Sequence, residues 1–304
     1  MTNDSGFHRR SLLRLLWGTL RPRQWIKNTF VLAPAIFTLQ ILNPEIWLRL
    51  FTGAAGFCLA ASAVYTINDI INCEEDRRHP LKKRRPIASG EVAKTTGWIL
   101  AIVVLFGSSL FLFFSGESVL LTVWVYVGLM ILYSLFLRRL FILDVIIIAV
   151  GFVLRVIAGA ELIQEPISHW LLLCTFTIAL FLGMIKRRQE IVVMNANSDQ
   201  LGRSALTSYQ DTALVDGWIN IFAGMTILCY ALYTVDPATR ANHQTTTLMY
   251  TIPCVIYGIS RYQKLALIGH AGEDPASLII RDPGIKIVIG LWVLTVGGLL
   301  IMAN

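Results

Sequence analysis

Residues 47–92 read WLRLFTGAAGFCLAASAVYTINDIINCEEDRRHPLKKRRPIASGEV, an apolar run that passes without a break into acid and then into base. The stretch 47–67 has the length of a membrane-spanning helix, which needs about 20 mostly apolar residues. If the helix continues, Asn68, Asn72 and Asp76 fall at i, i+4 and i+8, with Asp69 about 100° round from Asn68. Four oxygen-bearing side chains then share one face at the mouth of a bundle. Hard oxygen donors suit Mg²⁺, which keeps waters and binds through one or two carboxylates plus substrate phosphate oxygens. Arg77, Arg78, Lys82, Lys83, Arg84 and Arg85 follow at once. A solvated loop obeying the positive-inside rule would explain these bases. It does not explain two Asn and two Asp in register at the membrane boundary, beside the turn Pro86-Ile87-Ala88-Ser89-Gly90. A Mg²⁺–phosphate site explains both halves.

The remaining sequence sets this segment in a membrane. Of 304 residues, 55% are hydrophobic and 15% charged, against roughly 45–50% and 25% in soluble domains. Soluble enzymes, disordered chains and disulfide scaffolds are thereby excluded. Cys58, Cys174, Cys229 and Cys254 lie in apolar runs and Cys73 in a polar loop, with no CxxC pair, and read as small apolar fillers. Nine stretches have spanning character: 28–42, 47–67, 97–114, 118–137, 141–163, 167–185, 213–235, 246–260 and 285–303. The expected fold is an all-α membrane protein, a single nine-helix domain over 28–304. The arm 1–27 precedes it. Residues 9–21 alternate Arg with Leu and Trp at helical spacing without a cleavage site, which reads as an interfacial amphipathic helix and not a signal peptide. The net charge of +7 is a matter of topology, not of nucleic acid. On this map 23 of the 26 Lys and Arg fall on one side, Arg49 and Arg240 on the other, and Arg155 inside the fifth helix. That asymmetry predicts a cytoplasmic N-terminus, an outer C-terminus and chemistry on the cytoplasmic face.

The segment 68–92 resembles the NDxxDxxxD motif of the UbiA-type superfamily of intramembrane transferases. The likeness extends over the chain through RPRQWIKN (21–28), YSLFLRR (133–139), LDVIIIAVGFVLRVIAGA (143–160), KRRQE (186–190) and GEDPASLIIRD (272–282). The resemblance implies nine helices, a cytoplasm-facing active cavity and a bacterial-type cytoplasmic membrane. One departure stands out: the third motif position, usually Asp, is Asn72. An amide oxygen brings a ligand without a charge. Prenyltransferases of this fold carry a second acidic cluster after the sixth helix. Here that loop reads KRRQEIVVMNANSDQ, with Glu190 behind Lys186, Arg187 and Arg188, and Asp199 alone. Bases in place of acids suit a ligand with more bare phosphate. With GEDPASLIIRD, this is similar to the branch that transfers phosphoribose from phosphoribosyl diphosphate to polyprenyl phosphate.

The resemblance implies a Mg²⁺-dependent glycosyl transfer. Asp69 and Asp76, helped by Asn68 and Asn72, would hold the metal. Lys82, Lys83 and Arg85 would hold diphosphate oxygens, Lys186 and Arg187 would take phosphate on the opposite wall, and Glu190 beside them is a substrate-binding candidate. Lys27 and Arg138 are candidates for the acceptor phosphate, and Tyr133 for a phosphate contact. Arg155 is costly inside a membrane unless it faces a cavity or a partner, and it reads as a substrate contact, with Asp144, eleven residues earlier on the same face, as a candidate neighbour. His79 and His270 lack metal-binding partners, and Asp216 reads as interfacial. The expected partners are phosphoribosyl diphosphate, a polyprenyl phosphate and the bilayer; a homo-oligomer stays open. An aromatic prenyltransferase of the same fold, using a polyprenyl diphosphate, is the alternative. A carrier for anionic metabolites fits less well, since the polar groups cluster on one face.

Overall fold

The computed structural model describes residues 11–79, 82–196, 209, 211–268 and 281–303. His270, Asp199, positions 272–280 of the GEDPASLIIRD segment and the first ten residues of the arm lie outside them. The described residues are helical, in the order α1 (Leu12–Leu20), a 3-10 segment (Pro22–Leu32), α2 (Ala33–Phe37), α3 (Trp47–Ile71), α4 (Cys73–Arg78), α5 (Lys94–Phe113), α6 (Glu117–Leu135), α7 (Leu143–Ile163), α8 (His169–Ala196), α9 (Thr212–Val235), α10 (Pro237–His243), α11 (Ile252–Ile268) and α12 (Pro283–Ala303).

Seven of these helical segments are long and apolar enough to cross a membrane, those built on α3, α5, α6, α7, α8, α9 and α12. The stretches expected at 28–42 and 246–260 take other forms. The first is the 3-10 segment running into five-residue α2, interrupted by Pro34 and ended by Thr38. The second becomes the 17-residue α11, shifted toward the C-terminus. Hydropathy registers the apolar composition of both; a 3-10 turn and a proline alter the backbone without altering that composition.

The apolar side chains form two main cores. One gathers Phe57, Leu112, Tyr126 and Leu162 between α3, α5, α6 and α7. The other gathers Val145, Phe181, Met184, Ile219 and Tyr262 between α7, α8, α9 and α11. Helix α7 belongs to both and is the hinge of the architecture. It meets the 3-10 segment so closely at Gly159 that an added Cβ would stand 2.0 Å from the Val31 carbonyl oxygen. On the outside, Phe106, Phe113, Leu121 and Leu294 are exposed. In water such a surface would aggregate; in lipid it is the expected exterior.

Candidate functional site

Helix α3 ends at Ile71, but its register does not. The Asn72 amide donates to the Asn68 carbonyl at 3.0 Å and the Asp76 amide to the Asn72 carbonyl at 2.9 Å. Asn68, Asn72 and Asp76 therefore keep their helical spacing into α4. Asp69 and Asp76 are each only 2% exposed. Arg85 pairs with Asp76 and stands 3.2 Å from Asp69 Oδ1, and Arg21 pairs with the same Asp69 oxygen. Burial, and then the neighbouring Arg21 guanidinium, hold Arg85 below the ordinary arginine value. The turn carrying Arg85 is fixed by Arg77, whose Nε donates to the Ala88 carbonyl at 3.0 Å. Gly90 supplies the left-handed residue at φ 84 that the turn requires.

The amides complete this wall. Asn72 Nδ2 donates to Asn68 Oδ1 at 2.8 Å, and Ser134 Oγ donates to the same oxygen at 3.1 Å. Asn72 Oδ1 is left buried with no hydrogen-bond donor. A buried acceptor without a donor is costly in a closed protein, and this one stands three residues from Asp69 and four from Asp76 in the helical register. Among the described residues no three His, Cys, Asp or Glu form a metal cluster. The set is instead two carboxylates with amide oxygens, which fits a hard ion whose other ligands come from water and substrate.

The opposite wall is built by α7 and α8. Arg187 Nε stands 2.6 Å from Asp144, its Nη1 donates to Glu190 at 2.6 Å and its Nη2 to the Tyr133 hydroxyl at 3.1 Å. Tyr209 donates to Asp144 and accepts from the Ile142 amide at 2.8 Å. Burial and the Asp144 carboxyl push that phenol above its ordinary value, so it stays a donor. Ile142 itself sits at φ 63, a strained conformation for a β-branched residue, where the chain enters α7. Lys82 Nζ reaches Glu190 at 3.9 Å and links the two walls.

The sequence-derived residues thus divide. Asn68, Asp69, Asn72, Asp76 and Arg85 come together, and Lys82, Tyr133, Arg187 and Glu190 connect across from them. Lys83 and Lys186 are exposed, and Lys27 is half-buried one residue before Asn28. Arg138 donates to Glu75 at 2.7 Å, which ties α4 to the end of α6, while its Nε is buried without an acceptor. Two readings are corrected. Asp144 pairs with Arg187, not Arg155; eleven residues of α7 separate them by about 16 Å. Arg155 is no open ligand contact: it donates to Asn28 Oδ1 and the Tyr126 hydroxyl, both at 2.9 Å, among the rings of Phe57, Tyr126 and Phe152. Arg187 likewise spends its fork on Asp144, Glu190 and Tyr133. Sequence reasoning missed Arg21, Ser134 and Tyr209. Arg21 and Ser134 lie in the stretches RPRQWIKN and YSLFLRR that carry the resemblance, which was their signal; Tyr209 had none.

A cavity of about 370 Å³ lies elsewhere, lined by Phe37, Trp170, Tyr230, Tyr233 and His243 among others. Its lining includes Ala160, sixteen residues along α7 from Asp144, and none of the acidic-motif residues.

A helical membrane bundle with buried carboxylates and amides at one end and bases around them has the make-up of an intramembrane transferase. The model of the UbiA prenyltransferase family matches residues 30–280, and the chain belongs to that family. It is 28% identical to the decaprenyl-phosphate phosphoribosyltransferase of Mycolicibacterium smegmatis over 303 residues, covering 95% of this chain and 93% of that one. To the protein of the same description from Mycobacterium tuberculosis it is 30% identical over 282 residues, with 91% of each covered. Among solved structures, a UbiA homolog from Archaeoglobus fulgidus bound to GPP and Mg²⁺ superposes with a TM-score of 0.70. That match is 15% identical and covers 95% of this chain and 99% of the other, so it establishes the fold. The chain is an integral membrane protein of that fold.

Proposed function

We propose that this protein moves 5-phosphoribose from phosphoribosyl diphosphate to a polyprenyl phosphate and releases diphosphate. The observation that carries the reading is the asymmetry of the walls. Among the described residues the carboxylates whose arginine partners reach solvent stand on α3 and α4, and the place where a second acidic cluster would stand holds Arg187, Lys186 and the Lys82–Glu190 link. The phosphoribosyltransferase relatives at 28–30% identity support the same donor.

In this reading Asp69 and Asp76, with the oxygens of Asn68 and Asn72, hold Mg²⁺. When bound, the ion neutralises the charge that develops on the leaving diphosphate. Arg85, Lys82 and Lys83 hold diphosphate oxygens, and Lys186 meets the 5-phosphate. Glu190, fixed by Arg187, presents an acceptor oxygen toward the pentose. Lys27 stands toward the acceptor phosphate, whose charge of about −1.5 to −2 at pH 7 lets it attack without a strong general base. The bundle comprises nine membrane segments over 28–304, α2 with its 3-10 lead and α11 completing the seven long spans, with the arm 1–27 at the interface. The N-terminus and the site face the cytoplasm and the C-terminus faces outward, in a bacterial-type cytoplasmic membrane; the charge asymmetry supports this orientation.

The test is purified protein with Mg²⁺, labelled phosphoribosyl diphosphate and a short polyprenyl phosphate, followed by lipid extraction. Label should enter the lipid phase, saturate with donor and vanish on chelation. Prenyl transfer from a polyprenyl diphosphate to an aromatic acid, with no lipid labelling, would replace this reading by the aromatic one.

A further inference from the structure

Arg21 is the corner between α1 and the 3-10 segment. It holds φ 53 and ψ 57, left-handed, directly before Pro22. A non-glycine residue before proline rarely takes that conformation, and it persists only where the surroundings over-determine it. The surroundings here are specific. The Arg21 guanidinium pairs with Asp69 and lies 5.6 Å over the Tyr65 ring, both on α3. Four residues on, Trp25 donates to Ser62 on the same helix at 2.9 Å, and its ring meets Trp17 of α1 edge-on at 5.9 Å. The corner is thus pinned so that one cation covers the carboxylate proposed to bind metal.

The charges decide what can replace it. The buried Asp69 and Asp76 are answered by the part-exposed Arg21 and Arg85, so the four charges cancel. A divalent cation entering alone would make it doubly positive and turn Arg21 off Asp69 with no anion to receive it. A diphosphate brings anionic oxygens suited to a guanidinium fork. We propose that Arg21 is a substrate-contacting residue that covers Asp69 in the empty protein and passes to the diphosphate when metal and diphosphate arrive together. The inference rests on the metal–diphosphate site proposed above. It adds a residue and an order: the protein takes up little metal until the diphosphate is present.

The experiment uses the purified full chain in detergent, Mn²⁺ as a paramagnetic probe and inorganic diphosphate, with neither pentose donor nor lipid. Wild-type protein should bind Mn²⁺ alone at least about tenfold more weakly than Mn²⁺ with diphosphate, the scale of one charge-assisted contact. Arg21→Gln should move the two constants in opposite directions, Mn²⁺ alone tighter and diphosphate weaker. Arg21→Lys, which keeps the charge, should retain the order and weaken diphosphate. Equal Mn²⁺ affinity with and without diphosphate in the wild type overturns the proposal without recourse to any variant. So does an Arg21→Gln protein that weakens both ligands together, the mark of a corner that only holds α1. Asp69→Asn separates the two failures. If it binds as wild type does, the metal site falls and Arg21's role with it; if binding needs Asp69 but ignores Arg21, only the hand-over falls.

Discussion

On the α3–α4 wall the carboxylates of Asp69 and Asp76 are answered by Arg21 and Arg85, whose side chains keep 19% and 22% exposure. On the α7–α8 wall Asp144 is answered by Arg187, at 0% and 6%. The ions are the same and the consequences differ. Arg21 and Arg85 come from a corner and a loop and reach solvent, so a ligand can displace them. Arg187 is surrounded by Asp144, Glu190 and Tyr133, with Tyr209 closing behind, and opening it would strand charges in the bundle. The arginines of the first wall are open to exchange, while Arg187 on the second is held in place.

That contrast can be broken at several points. The largest effect should come from Asp69→Ala or Asp76→Ala. Losing a metal-binding carboxylate removes several kcal/mol of stabilisation, so turnover should fall by roughly a thousandfold. The melting temperature in detergent should change little, because the released arginines reach water. Near-normal turnover in either variant would remove the metal from this wall. Asp144→Ala should do the reverse. It takes from the buried Arg187 one of its two carboxylates, with Glu190 remaining, and leaves the Tyr209 hydroxyl without its acceptor, at a cost of about 1–3 kcal/mol, read as a drop in melting temperature. If Asp144→Ala melts with Asp69→Ala, the walls are alike and the contrast fails.

A smaller effect sharpens the boundary between the walls. Lys82→Ala removes the residue that bridges them and, in the proposed reading, a diphosphate contact; the apparent donor KM should rise about tenfold with the fold intact. An unchanged KM would assign Lys82 to Glu190 alone. Asn72→Asp should be milder still. It turns the unpaired Oδ1 into a charged ligand, so activity should persist with half-saturation at lower Mg²⁺. Superimposable Mg²⁺ titrations would put residue 72 away from the metal.

These differences also mark how far the sequence is legible. The register of Asn68, Asn72 and Asp76 is local, set by a 3.6-residue repeat, and was readable although α3 and α4 are assigned as separate helices. The long apolar spans were readable for the same reason. Pairings across the chain were not. Arg21 meets Asp69 from 48 residues away and Arg155 meets Asn28 from 127. Asp144 cannot reach Arg155 along one helix, about 16 Å away, and the packing of α7 against α8 supplies Arg187 as its partner instead. The conversion of 28–42 into a 3-10 segment and a short helix was hidden too, since the apolar count is indifferent to how the backbone turns.

The claim on which the rest depends is that Asp69 meets the metal, and metal rescue of Asp69→Cys tests it most directly. A thiolate is a soft ligand that favours softer ions over Mg²⁺. Transfer of label from phosphoribosyl diphosphate to polyprenyl phosphate would be measured for wild type and variant, each with Mg²⁺ and with Cd²⁺. The expected result is a variant nearly silent with Mg²⁺ and revived by Cd²⁺, against a wild type that prefers Mg²⁺. A variant that keeps the wild-type order of metals would contradict ligation by Asp69.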